Sequence, residues 1–345
     1  RFKEKGQLLL EAATAYFHNY LLNAPEAAPV RLYLKERGRN DEVIKKFRLG
    51  FAPDSWDAIT KWAESNGYNK ELLLATGLAI TNANDQNRYY DRFRNRLIFP
   101  ICNENDRVVG FSARTLEPHP KSAKYVNSPD SDFFHKGKIL YGLNFARKSL
   151  RETGYALICE GQMDVIACHQ AGIVQAMAAQ GTAFTEEHAT LLKRSINKVR
   201  LSFDGDAAGM KATLRTICLL YEAGLDVSVV SLPDGEDPDS IFRIGGAKAL
   251  RQIMSSSTDA VQFVFFHACA KYDKTTPIGK KDIVSDTLDV IASIQDAIIR
   301  TAQCQWLAGE LQLPEEIVTQ ALASRIAARE KEKESLQLKL NILQF

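Results

Sequence analysis

Between residues 154 and 245, short apolar runs alternate with amphipathic stretches, and this alternation constrains the fold more than any other feature of the chain. The runs at 156–159, 174–178, 199–203 and 227–232 are too short for helices and read as strands, while 164–171, 185–195 and 209–223 carry apolar residues at helical spacing. Parallel strands need a crossover long enough to hold a helix, so successive β-α units predict a mostly parallel central sheet covered by helices. At 345 residues the chain exceeds one ordinary core, and two or three domains are expected.

The flanks read differently. A helix is predicted over 4–22, interrupted by Ala24-Pro25-Glu26-Ala27-Ala28-Pro29, with short helices at 30–37, 41–46, 55–65 and 69–76. Strand-like runs at 96–101 and 108–114, separated by the turn-like Asn103-Glu104-Asn105-Asp106, predict a hairpin. After Gly245-Gly246 the pattern is helical to the end, with Gly279 and Pro314 expected as breaks. The expected division is an N-terminal mixed α+β basic subdomain at 1–150, an α/β unit at 151–245 and a C-terminal helical subdomain at 246–345.

Hydrophobic residues at 45% and charged residues at 25% place the chain among globular proteins and exclude disordered and fibrous classes. No apolar run reaches the roughly 18 to 20 residues of a membrane span, and the opening Arg1-Phe2-Lys3-Glu4-Lys5 has no signal-peptide core, so no membrane contact and a cytoplasmic location are expected. The first residue is not Met, which suggests a piece of a longer protein. The 6 cysteines include no CxxC pair and the 6 histidines no metal-ligand spacing, so buried thiols are expected and zinc is not. The net charge of +2 hides a separation: residues 88–151 hold 13 Lys and Arg against 6 Asp and Glu, whereas 155–241 hold 6 against 12. Ordinary solvated faces would explain either block alone; together they suit a polyanion resting on a basic surface beside an acidic centre.

The acids fall where the predicted strands end. Glu160 follows the first strand, with Asp164 four residues on; Asp204 and Asp206 follow the third; Asp237 and Asp239 follow the fourth. Strand carboxyl ends line the ligand crevice of open α/β sheets, so these six carboxylates are expected to converge. Two carboxylates about 4 Å apart repel by roughly 4 kcal/mol at an effective dielectric of 20, so the group needs cations. Hard oxygen ligands without Cys or His select Mg2+ or Mn2+, two or more of which would serve phosphoryl transfer. Gly161, Gly205 and Gly209 are expected to permit tight turns beside the acids. The competing reading for each acid is a helix cap, with Asp164, Asp206 and Asp239 each serving an adjoining helix. Arg92, Arg94 and Arg96 alternate, so on a strand they would form one phosphate-binding row. Lys124 and Lys136 flank a loop of Asn127 and Ser128 where phosphates could dock, and Tyr125 is a candidate for either base stacking or core packing.

The motifs Glu160-Gly161-Gln162-Met163-Asp164, Asp204-Gly205-Asp206 with Ala208-Gly209, and Leu232-Pro233-Asp234-Gly235-Glu236-Asp237-Pro238-Asp239 resemble the three motifs of the TOPRIM fold in bacterial replicative DNA primases of the DnaG type. Arg92-Phe93-Arg94-Asn95-Arg96, Lys124-Tyr125-Val126-Asn127-Ser128-Pro129 and Phe134-His135-Lys136-Gly137 resemble that family's basic motifs, and the likeness spans about residues 30 to 245. The resemblance implies an RNA-polymerase core that copies single-stranded DNA into short RNA primers from ribonucleoside triphosphates. It implies Glu160, Asp204 and Asp206 as catalytic groups, and Glu160, Asp164, Asp204, Asp206, Asp237 and Asp239 as metal ligands. Arg92, Arg94, Arg96, Arg114, Lys124, Tyr125, Asn127, Ser128 and Lys136 would bind nucleotide or DNA. Its partners would be template, nucleotides, the nascent primer, single-stranded-DNA-binding protein and a replicative helicase reached through a domain absent here. Gln162 stands where the family usually has Tyr, and the family's N-terminal zinc module is missing. Two other readings are a TOPRIM topoisomerase or nuclease, and an inactive DNA-binding scaffold.

Overall fold

The structure, a computed structural model, describes residues 2–117, 123–203 and 207–343. Helix α1 (Phe2–Asn23) buries Leu9, Leu10, Ala13, Phe17 and Leu21, the spacing of an amphipathic helix. After a proline-initiated turn come α2 (Ala28–Glu36) and α3 (Asp41–Lys46). Asn40 starts α3 by accepting the Val43 N–H at 2.9 Å. Then follow β1 (Gly50–Ala52), α4 (Ala58–Ser65), α5 (Lys70–Ala75), β2 (Ala79–Asn82), β3 (Asp85–Asp91), the expected hairpin β4 (Arg96–Cys102) and β5 (Val108–Arg114), and β6 (Tyr125–Asn127). Sequence periodicity misses β1 and β6 because each has only 3 residues and is defined by pairing rather than by pattern.

The antiparallel sheet β1-β4-β5-β6 places β4 inside, and every residue of β4 is buried. Ile98 meets Phe17 and Phe111 on the α1 side, whereas Leu97, Phe99 and Ile101 join Leu157, Cys159 and Met163 on the other. A strand covered on both faces loses its polar alternation, and here it joins the N-terminal part to the next unit through a shared core. Close approach of α1 to this sheet needs Gly50, since a Cβ there would lie 2.6 Å from the Phe17 Cβ.

The second unit runs β7 (Leu140–Tyr141), α6 (Leu143–Thr153), β8 (Ala156–Cys159), α7 (Gln162–Gln170), β9 (Ala176–Ala179), α8 (Glu186–Lys193), β10 (Lys198–Ser202), α9 (Ala207–Glu222), β11 (Asp226–Val229) and α10 (Pro238–Met254). With β12 (Thr258–Asp259) it forms a sheet of order β12-β11-β10-β8-β9-β7. The four central strands are parallel and the edge strands β7 and β12 antiparallel. Both edges therefore come from outside the 151–245 block. The chain moves from β8 to β9 on one side and places β10 on the other, so the order switches at β8. Ser202 pairs with Cys159 at that switch, which brings the end of β10 beside the end of β8.

Helices α11 (Ala260–Lys271), α12 (Pro277–Ile291), α13 (Ala297–Leu311) and α14 (Glu315–Leu343) complete the chain. Phe265, Ile283, Leu288, Leu307 and Leu311 share one apolar cluster with Ile158, Leu201 and Val229 of the sheet. Pro314 does separate two helices, but Gly279 does not break one. It lies inside α12, donates its N–H to the Thr276 hydroxyl at 3.0 Å, and leaves room for the Asp273 carbonyl, which a Cβ would strike at 1.8 Å. Among the described residues, no helix is long and apolar enough to cross a membrane.

Candidate active site

Glu160 is exposed immediately beyond β8, beside the point where the strand order switches. It lines a cavity of about 530 Å3 with Phe184, Phe203, Lys211, Arg215 and Thr216. Asp204 and Asp206 lie outside the described residues; the chain that carries them leaves β10 at Ser202, next to Cys159. Lys211 and Arg215 escape the sequence reading, although their spacing of four on α9 signals a shared basic face.

The remaining acids have structural partners. One Asp164 oxygen, at the third position of α7, reaches back to accept the Gly161 N–H at 3.1 Å, and the other accepts the Asp239 N–H at 3.3 Å. Asp237, and not Asp239, is the N-cap of α10, accepting the Ser240 N–H at 2.6 Å. Asp239 is 1% exposed, and its two oxygens pair with Arg37 and Arg39. Burial lowers the Arg39 pKa to about 10, with Arg37 pushing the same way and Asp164 opposing. Gly161 is extended at φ −134 and is not held by a tight turn, so its lack of a side chain is not required by its backbone.

Gln162 is buried between these acids. Its Nε2 donates to the Ser112 hydroxyl at 2.6 Å and to Gln180 Oε1 at 2.8 Å, tying α7 to β5 of the N-terminal sheet. The residue that departs from the family pattern is thus a bridge between the basic and acidic subdomains.

The arginine row is not a row. Residues 92–95 form a bend before β4, with Asn95 at φ +48, so strand alternation does not apply to Arg92 and Arg94. Arg96 is buried and donates to the carbonyls of Ala113 and Lys124 at 3.4 and 3.2 Å, which makes it a brace within the sheet. Burial lowers the pKa of both Arg92 and Arg96. Arg94 stacks 3.9 Å from the centre of the exposed Trp56 ring, an aromatic neighbour absent from the sequence reading. Arg114 donates to the Tyr125 hydroxyl at 3.3 Å, and Tyr125 packs against the shared core. The Ser128 hydroxyl is occupied by the Phe111 N–H at 2.9 Å, a structural use. Lys124 is exposed and Lys136 half-buried. Asn127 Oδ1 is buried without a hydrogen-bond partner among the described residues, and a Cβ on Gly181 would strike the Asn127 amide at 2.0 Å.

Among the described residues, no group of three or more His, Cys, Asp or Glu is placed to hold a metal ion. The donor chemistry at the strand ends is nevertheless all carboxylate, which fits a hard divalent cation and does not fit zinc in a thiolate site.

A parallel sheet whose strand order switches beside an acidic strand end, joined through a common core to a basic mixed subdomain, is the arrangement of a Toprim-type catalytic core. Residues 157–242 match the family model described as Toprim-like. Residues 16–147 match the N-terminal domain of the DNA primase catalytic core. The chain is 39% identical over 298 residues to DNA primase of Escherichia coli K12, covering 86% of this chain and 51% of that protein. It is 38% identical over 301 residues to the Deinococcus radiodurans DNA primase, with coverage of 86% and 51%. A solved DNA primase domain from Pseudomonas aeruginosa superposes with a TM-score of 0.83 at 34% identity, covering 92% of this chain and 99% of that one. The DnaG primase catalytic domain bound to single-stranded DNA gives 0.80 at 34% identity, covering 91% and 98%. The chain belongs to the DnaG-type family of bacterial DNA primases. It spans about half the length of the curated relatives it matches. Residues 261–316 also match the model described as the DnaB-helicase binding domain of primase, which corrects the expectation that every helicase-binding element lies outside this chain.

Proposed function

We propose that this chain is the RNA-polymerase core of a bacterial replicative primase, synthesising short RNA primers on single-stranded DNA. The observation that carries the reading is Glu160 at the switch point of the parallel sheet, beside the end of β10 that leads to Asp204 and Asp206. In the reaction, a ribose hydroxyl oxygen attacks the α-phosphorus of a nucleoside triphosphate. A new phosphodiester bond forms, the bond to the bridging oxygen breaks, and pyrophosphate leaves. Mg2+ or Mn2+, two or more, would neutralise charge on the triphosphate when bound by Glu160, Asp204, Asp206 and Asp237. Arg92, Arg94, Arg114, Lys124, Asn127 and Lys136 would hold template or nucleotide phosphates, with Trp56 adding a stacking face beside Arg94. Helices α11 to α13, within the helicase-binding match, would take part in contact with the replicative helicase.

The test is incubation with single-stranded DNA, labelled ribonucleotides and Mg2+ or Mn2+. Oligoribonucleotides are the expected product. Cut DNA would instead mark a nuclease, and retention of DNA without product would mark a scaffold.

A further inference from the structure

Among the described acids of the set, Asp239 pairs with two arginines and Asp164 accepts two backbone N–H groups. Helix α2 ends in a Schellman turn, in which the Gly38 and Arg39 N–H groups donate to the carbonyls of Lys35 and Leu34, both at 2.9 Å. Gly38 adopts φ +72, and the turn delivers Arg37 and Arg39 to opposite oxygens of one carboxylate, Asp239, about 200 residues away. Gln170 of α7 donates to the Gly38 carbonyl at 2.7 Å and fixes the turn against the Toprim unit.

The Arg39 side chain has 0% exposure, and its Nε and Nη1 are buried without hydrogen-bond partners among the described residues. Such a cation is tolerated only beside compensating negative charge. Asp239 supplies it directly, and Asp164 supplies it at longer range. Both arginines pair with Asp239, and Asp164, which accepts two backbone N–H groups, acts on Arg39 only at longer range, so the formal charges of the four sum to zero. From Asp239 the linkage continues through its N–H to Asp164, from Asp164 to the Gly161 N–H, and thus to the backbone next to Glu160.

We propose that Arg37 and Arg39 are the internal counter-ions of Asp239 and Asp164. These two acids are then positioning residues for Glu160, and divalent metal binds without them. The positioning role rests on the polymerase reading above; the counter-ion role does not.

Three readouts on the full chain test it: thermal unfolding, Mn2+ titration followed by electron paramagnetic resonance, and primer synthesis. Asp239→Asn leaves both arginines without a full charge partner and lowers Tm, whereas Asp239→Asn with Arg39→Met removes both charges and regains about half of the loss or more. Equal Tm for the single and double variants overturns the counter-ion assignment. The double variant is expected to keep the Mn2+ stoichiometry of the parent with Kd within about threefold. Loss of one Mn2+ equivalent, or a Kd weaker by about tenfold, overturns the exclusion of Asp239 from the metal set. In primer synthesis the double variant should lose about tenfold in kcat at an unchanged nucleotide KM, because only alignment is disturbed. Arg39→Lys alone, which keeps both the charge and Asp239, should retain more kcat than the double variant; a double-variant kcat equal to the parent overturns the positioning role. A parent chain that binds no Mn2+ and makes no RNA refutes the polymerase reading instead, and the unfolding comparison still decides the counter-ion assignment.

Discussion

Replacing Gln162 by Met isolates what the bridge between the two subdomains contributes. Met has similar length and fills the space, so the cavity contribution is small and the change removes mainly polar contacts. Two hydrogen bonds disappear, to Ser112 and Gln180, and both partners are 0% exposed. Among the described residues Gln180 already has an unsatisfied Nε2, and it would lose the partner of its oxygen as well. Two net hydrogen bonds at about 1 kcal/mol each, plus stranding of a buried amide oxygen, give an expected loss of about 2 to 4 kcal/mol. Urea unfolding followed by circular dichroism and by tryptophan fluorescence measures it. Trp56 and Trp62 report on the N-terminal part and Trp306 on the helical part. Coincident transitions would show that the shared cores melt together and validate a two-state treatment. A stability within about 0.5 kcal/mol of the parent, at unchanged m-value, would refute the argument that these two buried contacts stabilise the fold.

Asp204→Ala is expected to abolish primer synthesis with the circular dichroism spectrum retained, and undiminished product would remove Asp204 from the metal set. Neutralising Arg94 and Lys124 together should weaken DNA binding and reduce the slope of log K against log salt by about 1.4, or 0.7 for each phosphate contact on a single strand; an unchanged slope excludes template phosphate from their role. His169 is buried, and desolvation lowers its pKa to about 4 against an ordinary 6.5. The unfolded chain therefore binds this proton first, so the folded state has the full contribution above pH 6.5 and loses about 3 kcal/mol as pH falls toward 4. His169→Gln, which cannot titrate, should lack that part of the acid destabilisation, and an identical pH–stability curve would refute the assignment.

How far these features are legible in the sequence depends on the range of the forces that create them. Helix and strand periodicity is local, so the four parallel strands, their crossover helices and the β4–β5 hairpin could be read along the chain. Pairing-defined strands such as β1, β6, β7 and β12 could not, because 2 or 3 residues carry no period. The same division governs the site. Glu160 announces itself as an acid directly after an apolar strand, and parallel-sheet geometry then places it at the crevice. Arg92, Arg94 and Arg96 carry an alternating pattern, yet the bend at Asn95 takes the first two off the strand. The fate of Asp239 was beyond any local rule: in sequence it is equivalent to Asp237 two positions earlier. The difference is that α10 begins between them, so Asp237 faces its own helix end while Asp239, two residues on and about 200° round the axis, is carried into the interior toward Arg37 and Arg39. Motif spacing alone therefore gives Asp237 and Asp239 equal standing, and it is the charges brought from elsewhere in the fold that distinguish them.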